Sequence, residues 1–149
     1  MQKTKIEWCD YYKGWIEALI DGEGNLSLVK EKRSHFTAGC TYRPELAIGN
    51  KSLPLLQQAQ AIIGGGSTGS RRKDGLHYLK VTAKCLREFL PLISLIVKEQ
   101  QRENLLDALK TLSRHAGRNS PRSKEELTHL ENLFQYNRYL NGGNKLEQC

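Results

Sequence analysis

Apolar and polar positions along the chain change period several times, and each change marks an element. From Asp10 to Gly22 or Gly24 the apolar residues recur at helical spacing, with Asp10 in place as an N-cap and the glycines as a stop. Residues 25–33 alternate, Leu26 and Leu28 against Ser27 and Val29, which predicts a strand. Residues 34–38, from Ser34 to Ala38, read as a turn. A second strand follows over residues 41–49, with Leu46 and Ile48 on one face and Arg43, Glu45 and Ala47 on the other. Pro44 has no N–H to give to a ladder, so it predicts an edge position or a bulge.

Residues 53–63 return to helical spacing, with Pro54 tolerated in the first turn and Leu55, Leu56, Ala59, Ile62 and Ile63 forming the apolar stripe. Gly64, Gly65 and Gly66 end it. A hairpin is predicted over residues 67–73 and 76–82, turning at Asp74-Gly75. Leu79 and Val81 share one of its faces, Tyr78 and Lys80 the other. Residues 85–96 read as an amphipathic helix broken or kinked at Pro91. Residues 100–115 read as another, carrying Leu105, Leu106, Leu109 and Leu112. After a loop at residues 117–122, Ser123-Lys124-Glu125-Glu126 predicts a capping box and a last helix to about Leu140. Asn141-Gly142-Gly143 stops it, and the tail from about 141 to 149 reads as loose. Helix, two strands, helix, two strands and further helices make an α+β chain, its antiparallel sheet apolar on one face.

The 149 residues fit one domain with a real core. A formal net charge of +7 favours a polyanionic partner. Cys9, Cys40, Cys85 and Cys149 lie far apart and lack the paired spacing of a structural zinc site, so free thiols in a reducing compartment are expected. His35, His115 and His129 show no ligand spacing either, and Trp8 and Trp15 read as packing or interface residues. The basic N-terminus has no apolar signal core, and no apolar run reaches the ~20 residues that span a bilayer. The expectation is a soluble intracellular protein with no membrane partner, in bacterial or archaeal cytoplasm or in an organelle.

Gly14, Ala18 and Gly22 recur four apart and so line one face of the first helix, where another helix could approach closely. The helix ends in two acids, each followed by glycine: Asp21-Gly22 and Glu23-Gly24. If a second copy packs on that face, two carboxylates meet on an axis, which suits a divalent metal. The run Ile16, Glu17, Ala18, Leu19, Ile20, Asp21, Gly22, Glu23, Gly24 resembles the LAGLIDADG motif of homing endonucleases. It departs from the motif at Ile16 for leucine, Glu17 for a small residue, Ala18 for the first glycine and Glu23 for the second aspartate. The predicted element order extends the resemblance over most of the chain, as the α-β-β-α-β-β-α half-domain of that family with added C-terminal helices. No second copy of the motif occurs, and single-motif members of the family work as homodimers.

The resemblance implies a homodimeric, site-specific double-strand DNA endonuclease, intron-encoded, that cuts a long pseudo-palindromic target with Mg²⁺ (or Mn²⁺) and leaves short 3′ overhangs. By match, Glu23 is a metal ligand and the Gly22 carbonyl a second. Asp21 orders the helix end and, with Gly14, Trp15, Ala18 and Gly22, forms the dimer interface. Asn50, at the end of the second strand, matches the residue that orients solvent near the scissile phosphate; a helix-capping role is equally open. Lys98 matches the family's lysine that stabilises charge or polarises water; a solvated surface lysine is the alternative.

Strand alternation puts Ser27, Val29, Glu31, Arg33, Thr41, Arg43, Glu45 and Ala47 on the face away from the helices. The second hairpin adds Arg71, Lys73, Tyr78 and Lys80, with Arg72 and His77 near them and Lys51 beside Asn50. A twisted antiparallel ribbon fits a major groove, where Arg and Lys pair with guanine and a carboxylate accepts from cytosine. A charged solvent face is the plainer reading of the same residues. Two other functions stay open: an intron RNA-splicing maturase or cleavage-inactive DNA binder of the same fold, and an unrelated basic interaction protein.

Overall fold

The computed structural model describes residues 8–34, 39–71, 73–113 and 122–142. The chain runs α1 (Asp10–Glu23), β1 (Gly24–Lys32), β2 (Cys40–Asn50), α2 (Leu53–Ile63), β3 (Ser67–Ser70), β4 (His77–Thr82), α3 (Ala83–Phe89), α4 (Glu99–Ser113) and α5 (Lys124–Leu140). A single 3-10 turn, Leu90–Leu92, follows α3. The architecture is α+β, with four antiparallel strands in the order β1-β2-β4-β3. His35, Ala38, Arg72, His115 and Cys149, with most of the expected turn at 34–38 and the tail beyond Gly142, lie outside the described residues. Among the described residues no helix is long and apolar enough to cross a membrane.

The sheet divides by parity. Leu26, Leu28, Leu46, Ile48, Leu79 and Val81 are almost wholly buried and line one face. Against them pack Ile16 and Ile20 of α1, Leu56 and Ala59 of α2, Leu86 and Phe89 of α3, Leu105 and Leu109 of α4, and Leu130 of α5. Each such Leu, Ile, Val or Phe side chain contributes ~1.5–3 kcal/mol by leaving water. The opposite face keeps its side chains half-buried or exposed, including Ser27, Val29, Arg43, Glu45 and Lys80.

Pro44 lies in an inner strand and still loses no hydrogen bond. It pairs with Leu28 of β1, and the Leu28 N–H is turned away from β2, toward α5. The pair is therefore a non-hydrogen-bonded one, and the proline nitrogen points to the β4 side. There β4 has already ended, its last residue Thr82 pairing with Glu45. The expected edge position is thus met locally. Beyond Pro44, β1 and β2 continue as a two-stranded ribbon.

α5 supports this ribbon. Asn137, almost fully buried, behaves toward β1 as another strand would. Its Oδ1 accepts from Leu28 N–H at 3.0 Å and its Nδ2 donates to the Leu26 carbonyl at 3.0 Å, where Asn141 Nδ2 also donates. Further out, Glu131 accepts from Lys30 Nζ (2.8 Å), from the Tyr42 hydroxyl and from Gln135 (3.0 Å). Lys30 also lies over the Phe134 ring, 5.6 Å from its centre. Burial alone would raise the Glu131 pKa, but these hydrogen bonds outweigh it and hold the carboxyl below its ordinary value. Burial, with the neighbouring Glu131 carboxylate, pushes the Tyr42 hydroxyl up.

Most predicted bounds shift by a residue or two, and three of the differences change the local reading. Asp10 is the first helical residue and Cys9 precedes it as the cap, without a side-chain bond. The third helix ends at Phe89, because Pro91 can serve only a first turn, and residues 93–98 leave the helical path. β3 ends at Ser70, so Arg71 and Lys73 belong to the hairpin tip, where Gly75 takes φ +68°. The N-cap of the predicted capping box is present: Ser123 Oγ accepts from Glu126 N–H at 3.2 Å.

Candidate functional site

The chain passes from α1 to β1 with no intervening residue. Gly24 permits this. Its N–H donates to the Ile20 carbonyl, and a Cβ there would stand 2.9 Å from both Cα and O of Ile20. The tight passage leaves Glu23 exposed at the rim, one residue before the first sheet pair, Gly24 with Ile48. Asn50, the last residue of β2, reaches the same rim and donates from Nδ2 to Glu23 Oε2 at 2.7 Å. Asn50 Oδ1 in turn accepts from Ser52 N–H at 2.8 Å, and Ser52 Oγ caps α2 through Leu55 N–H. Capping of α2 thus falls to Ser52, with Asn50 one step behind it and its amide turned to Glu23.

Asp21 has a different set of partners. Its carboxylate accepts from the backbone N–H groups of Ile96 (2.8 Å), Val97 (3.0 Å) and Lys98 (3.1 Å), on the approach to α4. Three successive amides converging on a carboxylate form an anion nest. Glu17, one turn earlier, accepts from Ser94 N–H at 2.6 Å, so it binds the same loop. Lys98 completes the contact from the other side. Its Nζ donates to the carbonyls of Ile20 (3.0 Å) and Asp21 (2.7 Å) in the last turn of α1, where a cation is favoured. Asp21, Glu23, Asn50 and Lys98 therefore gather at one corner of the molecule, joined through the end of α1.

The small residues lie where a neighbour could reach them. Gly14, Ala18 and Gly22 are exposed, and a Cβ on Gly14 or Gly22 would meet nothing within 4 Å. Tyr11 is exposed on the same helix, and Trp15 is half-buried against the core. Among the described residues of one chain, no three His, Cys, Asp or Glu side chains converge as a metal cage. A single copy brings to the corner the Glu23 carboxylate and backbone carbonyls, which are hard oxygen donors but too few to enclose an ion.

On the open face of the sheet the strand pairs set Ser27 opposite Glu45, Val29 opposite Arg43 and Glu31 opposite Thr41. Arg43 lies between two acids: Nη1 donates to Glu45 at 2.5 Å and Nη2 to Glu31 at 2.8 Å. Arg33 Nη2 donates to the other oxygen of Glu31 at 3.0 Å. These arginines hold the Glu31 carboxyl below its ordinary range. Burial would lower the Arg43 pKa, but the bonds to Glu31 and Glu45 outweigh it and raise it. In the second hairpin Tyr78 lies over Gly69, where a Cβ would collide with the ring, and Lys80 Nζ stands 5.2 Å from the ring centre. Arg71, Lys73 and Lys51 are exposed. His77 shares the parity of Leu79 and Val81, so it lies toward the helices rather than with Tyr78 and Lys80.

Sequence reasoning did not single out Asn137, Glu131 or the Ser94–Lys98 loop contacts. Glu17 and Asp21, one turn apart on α1, were the available signal for the last of these.

No family model matches the chain, and no curated protein matches it in sequence. Solved structures do match. The homing endonuclease I-CvuI, in complex with an I-CreI target and magnesium, shares the fold at a TM-score of 0.74 and 20% identity, over 91% of this chain and 85% of that one. An archaeal intron-encoded homing endonuclease complexed with DNA gives 0.75 and 16%, over 94% and 90%. The fold is that of the LAGLIDADG homing endonucleases. I-SmaMI, bound to an uncleaved DNA target with calcium ions, gives 0.74 and 18%, over 94% of this chain but 47% of its own length. Within the LAGLIDADG fold described here, the motif helix is α1, and the corner of Glu23, Asn50 and Lys98 lies at its C-terminal end.

Proposed function

We propose that the chain is one subunit of a homodimeric, divalent-metal-dependent, site-specific DNA endonuclease. The observation that carries this reading is Glu23, exposed at the end of an uncovered small-residue helix face and oriented by Asn50. A second copy packed on Gly14, Ala18 and Gly22 brings a second Glu23 to the first. Glu23 and the Gly22 carbonyl would then hold Mg²⁺, whose part is to polarise the phosphoryl oxygens and lower the pKa of bound water. Asn50 keeps the Glu23 carboxylate turned toward that point. Lys98, held at the carbonyls of Ile20 and Asp21, supplies positive charge to the same corner. Asp21 fixes the helix end. The open sheet face receives duplex DNA. That the chain spans about half of I-SmaMI supports the view that one copy is half of a working unit.

The test is cleavage of DNA carrying the uninterrupted insertion sequence from the gene's own locus. The wild type should cut both strands with Mg²⁺ and neither strand with chelator. Glu23→Gln should abolish cutting and retain DNA binding. Equal cutting by wild type and Glu23→Gln removes Glu23 from the site, and an absence of cutting at that locus removes the endonuclease reading.

A further inference from the structure

The two hairpins present different electrostatics on the same face. On β1–β2, Arg33 and Arg43 are tied to Glu31 and Glu45 in one continuous chain of ion pairs, so the charges cancel. On β3–β4, Arg71, Lys73 and Lys80 are exposed and outnumber Asp74, whose carboxylate is engaged by the Leu76 N–H of the turn. A neutral cluster gains little from a phosphate, because binding there releases few counterions. A base edge is different. It is uncharged, and guanine offers N7 and O6 to a guanidinium fork held in a fixed plane. The two glutamates engage one N–H on each terminal nitrogen of Arg43, so each nitrogen keeps a second N–H for a ligand. The group is only half exposed, at 39%, and is held from both sides rather than swinging on its stem.

We propose that Arg43 is a base-reading residue for guanine in the major groove, that Glu31 and Glu45 are its positioning residues, and that the β3–β4 hairpin supplies the phosphate attraction. This rests on the DNA-endonuclease reading above and divides the labour within it. The glutamates serve discrimination twice. They fix the fork against a base edge, and they cancel charge that would otherwise strengthen binding to every sequence.

The test begins with wild-type protein and a library of randomised DNA duplexes, from which the bound sequences are recovered. Binding to the recovered site and to each single-base variant of it is then measured across a salt series. Arg43→Lys should lose about tenfold or more in discrimination at one or two neighbouring base pairs, with the salt slope unchanged. Glu45→Gln should lose discrimination at the same pairs while binding unrelated duplexes more tightly, with a slope steeper by about one. Lys80→Ala should weaken all duplexes alike, with a slope shallower by about one. Circular dichroism confirms that each variant folds. The proposal is overturned if Arg43→Lys keeps full discrimination, or if Glu45→Gln leaves it intact. It is overturned also if the wild type recovers no preferred sequence, and that outcome alone removes the site-specific reading as well.

Discussion

Two glycines of α1 and its junction do opposite things, and substitution separates them. Gly24 is required by close approach: a methyl group there would press on backbone atoms of Ile20 that cannot move aside. Gly24→Ala should lower stability by ~1–3 kcal/mol, read from chemical denaturation. Gly14 has open space around it, so Gly14→Ala should leave the stability of the chain unchanged or raise it by up to ~1 kcal/mol. Asp21 invites a similar comparison. Both its oxygens accept from amides, so the –NH₂ of Asn cannot replace one of them. Asp21→Asn should cost on the order of 1–2 kcal/mol, and faster hydrogen exchange at Ile96, Val97 and Lys98 should accompany the loss. If those amides stay protected, the nest is not what holds the loop.

At the scale of elements, α5 is the largest departure from what the sequence makes legible. The alternation of Leu26 and Leu28, the stripe of α2 and the Asp74-Gly75 turn are local patterns, and the strands and helices they predict are present. The helix cap at Ser123 was legible for the same reason. The docking of Asn137 on β1 was not, because its partners are more than a hundred positions away and no period links them. Pro91 was visible as a break, but the path after it was not, since residues 93–98 are shaped by acids on α1. Of the candidate site, the motif made Glu23 and Asp21 legible, whereas the bond from Asn50 to Glu23 depends on where β2 ends.

Asn137→Ala should expose the depth of the α5 contact. It leaves the buried Leu28 N–H without an acceptor and should cost about 2–3 kcal/mol in denaturant unfolding. Glu131 adds a pH dependence. Its folded pKa lies below the ordinary 4.5, so its contribution is present above that value and is lost as pH falls through the folded pKa. Wild type and Glu131→Gln should therefore differ in stability at neutral pH and converge in acid, and a difference that persists in acid would assign the effect to packing.

For the molecule as a whole, the uncovered face of α1 is the feature with most at stake. A second helix can approach Gly14, Ala18 and Gly22 only while they stay small. Gly14→Leu should leave the chain folded and shift sedimentation from dimer to monomer, with cleavage lost alongside. A variant that still sediments as a dimer would move the contact elsewhere on the surface.

The way α5 covers β1 also governs how two copies can meet. Asn137 and Asn141 occupy the Leu26 carbonyl and the Leu28 N–H, two of the backbone groups that an incoming strand would use, and the opposite edge, β3, is only four residues long. Both edges are thus poor templates for lengthening the sheet. Two subunits joined by their helices would keep two separate sheets, each curved by its own twist, with a seam between them rather than a shared ladder. Such a seam can open or close by a small roll of one helix on the other, and a bent duplex lying across both sheets would set that angle.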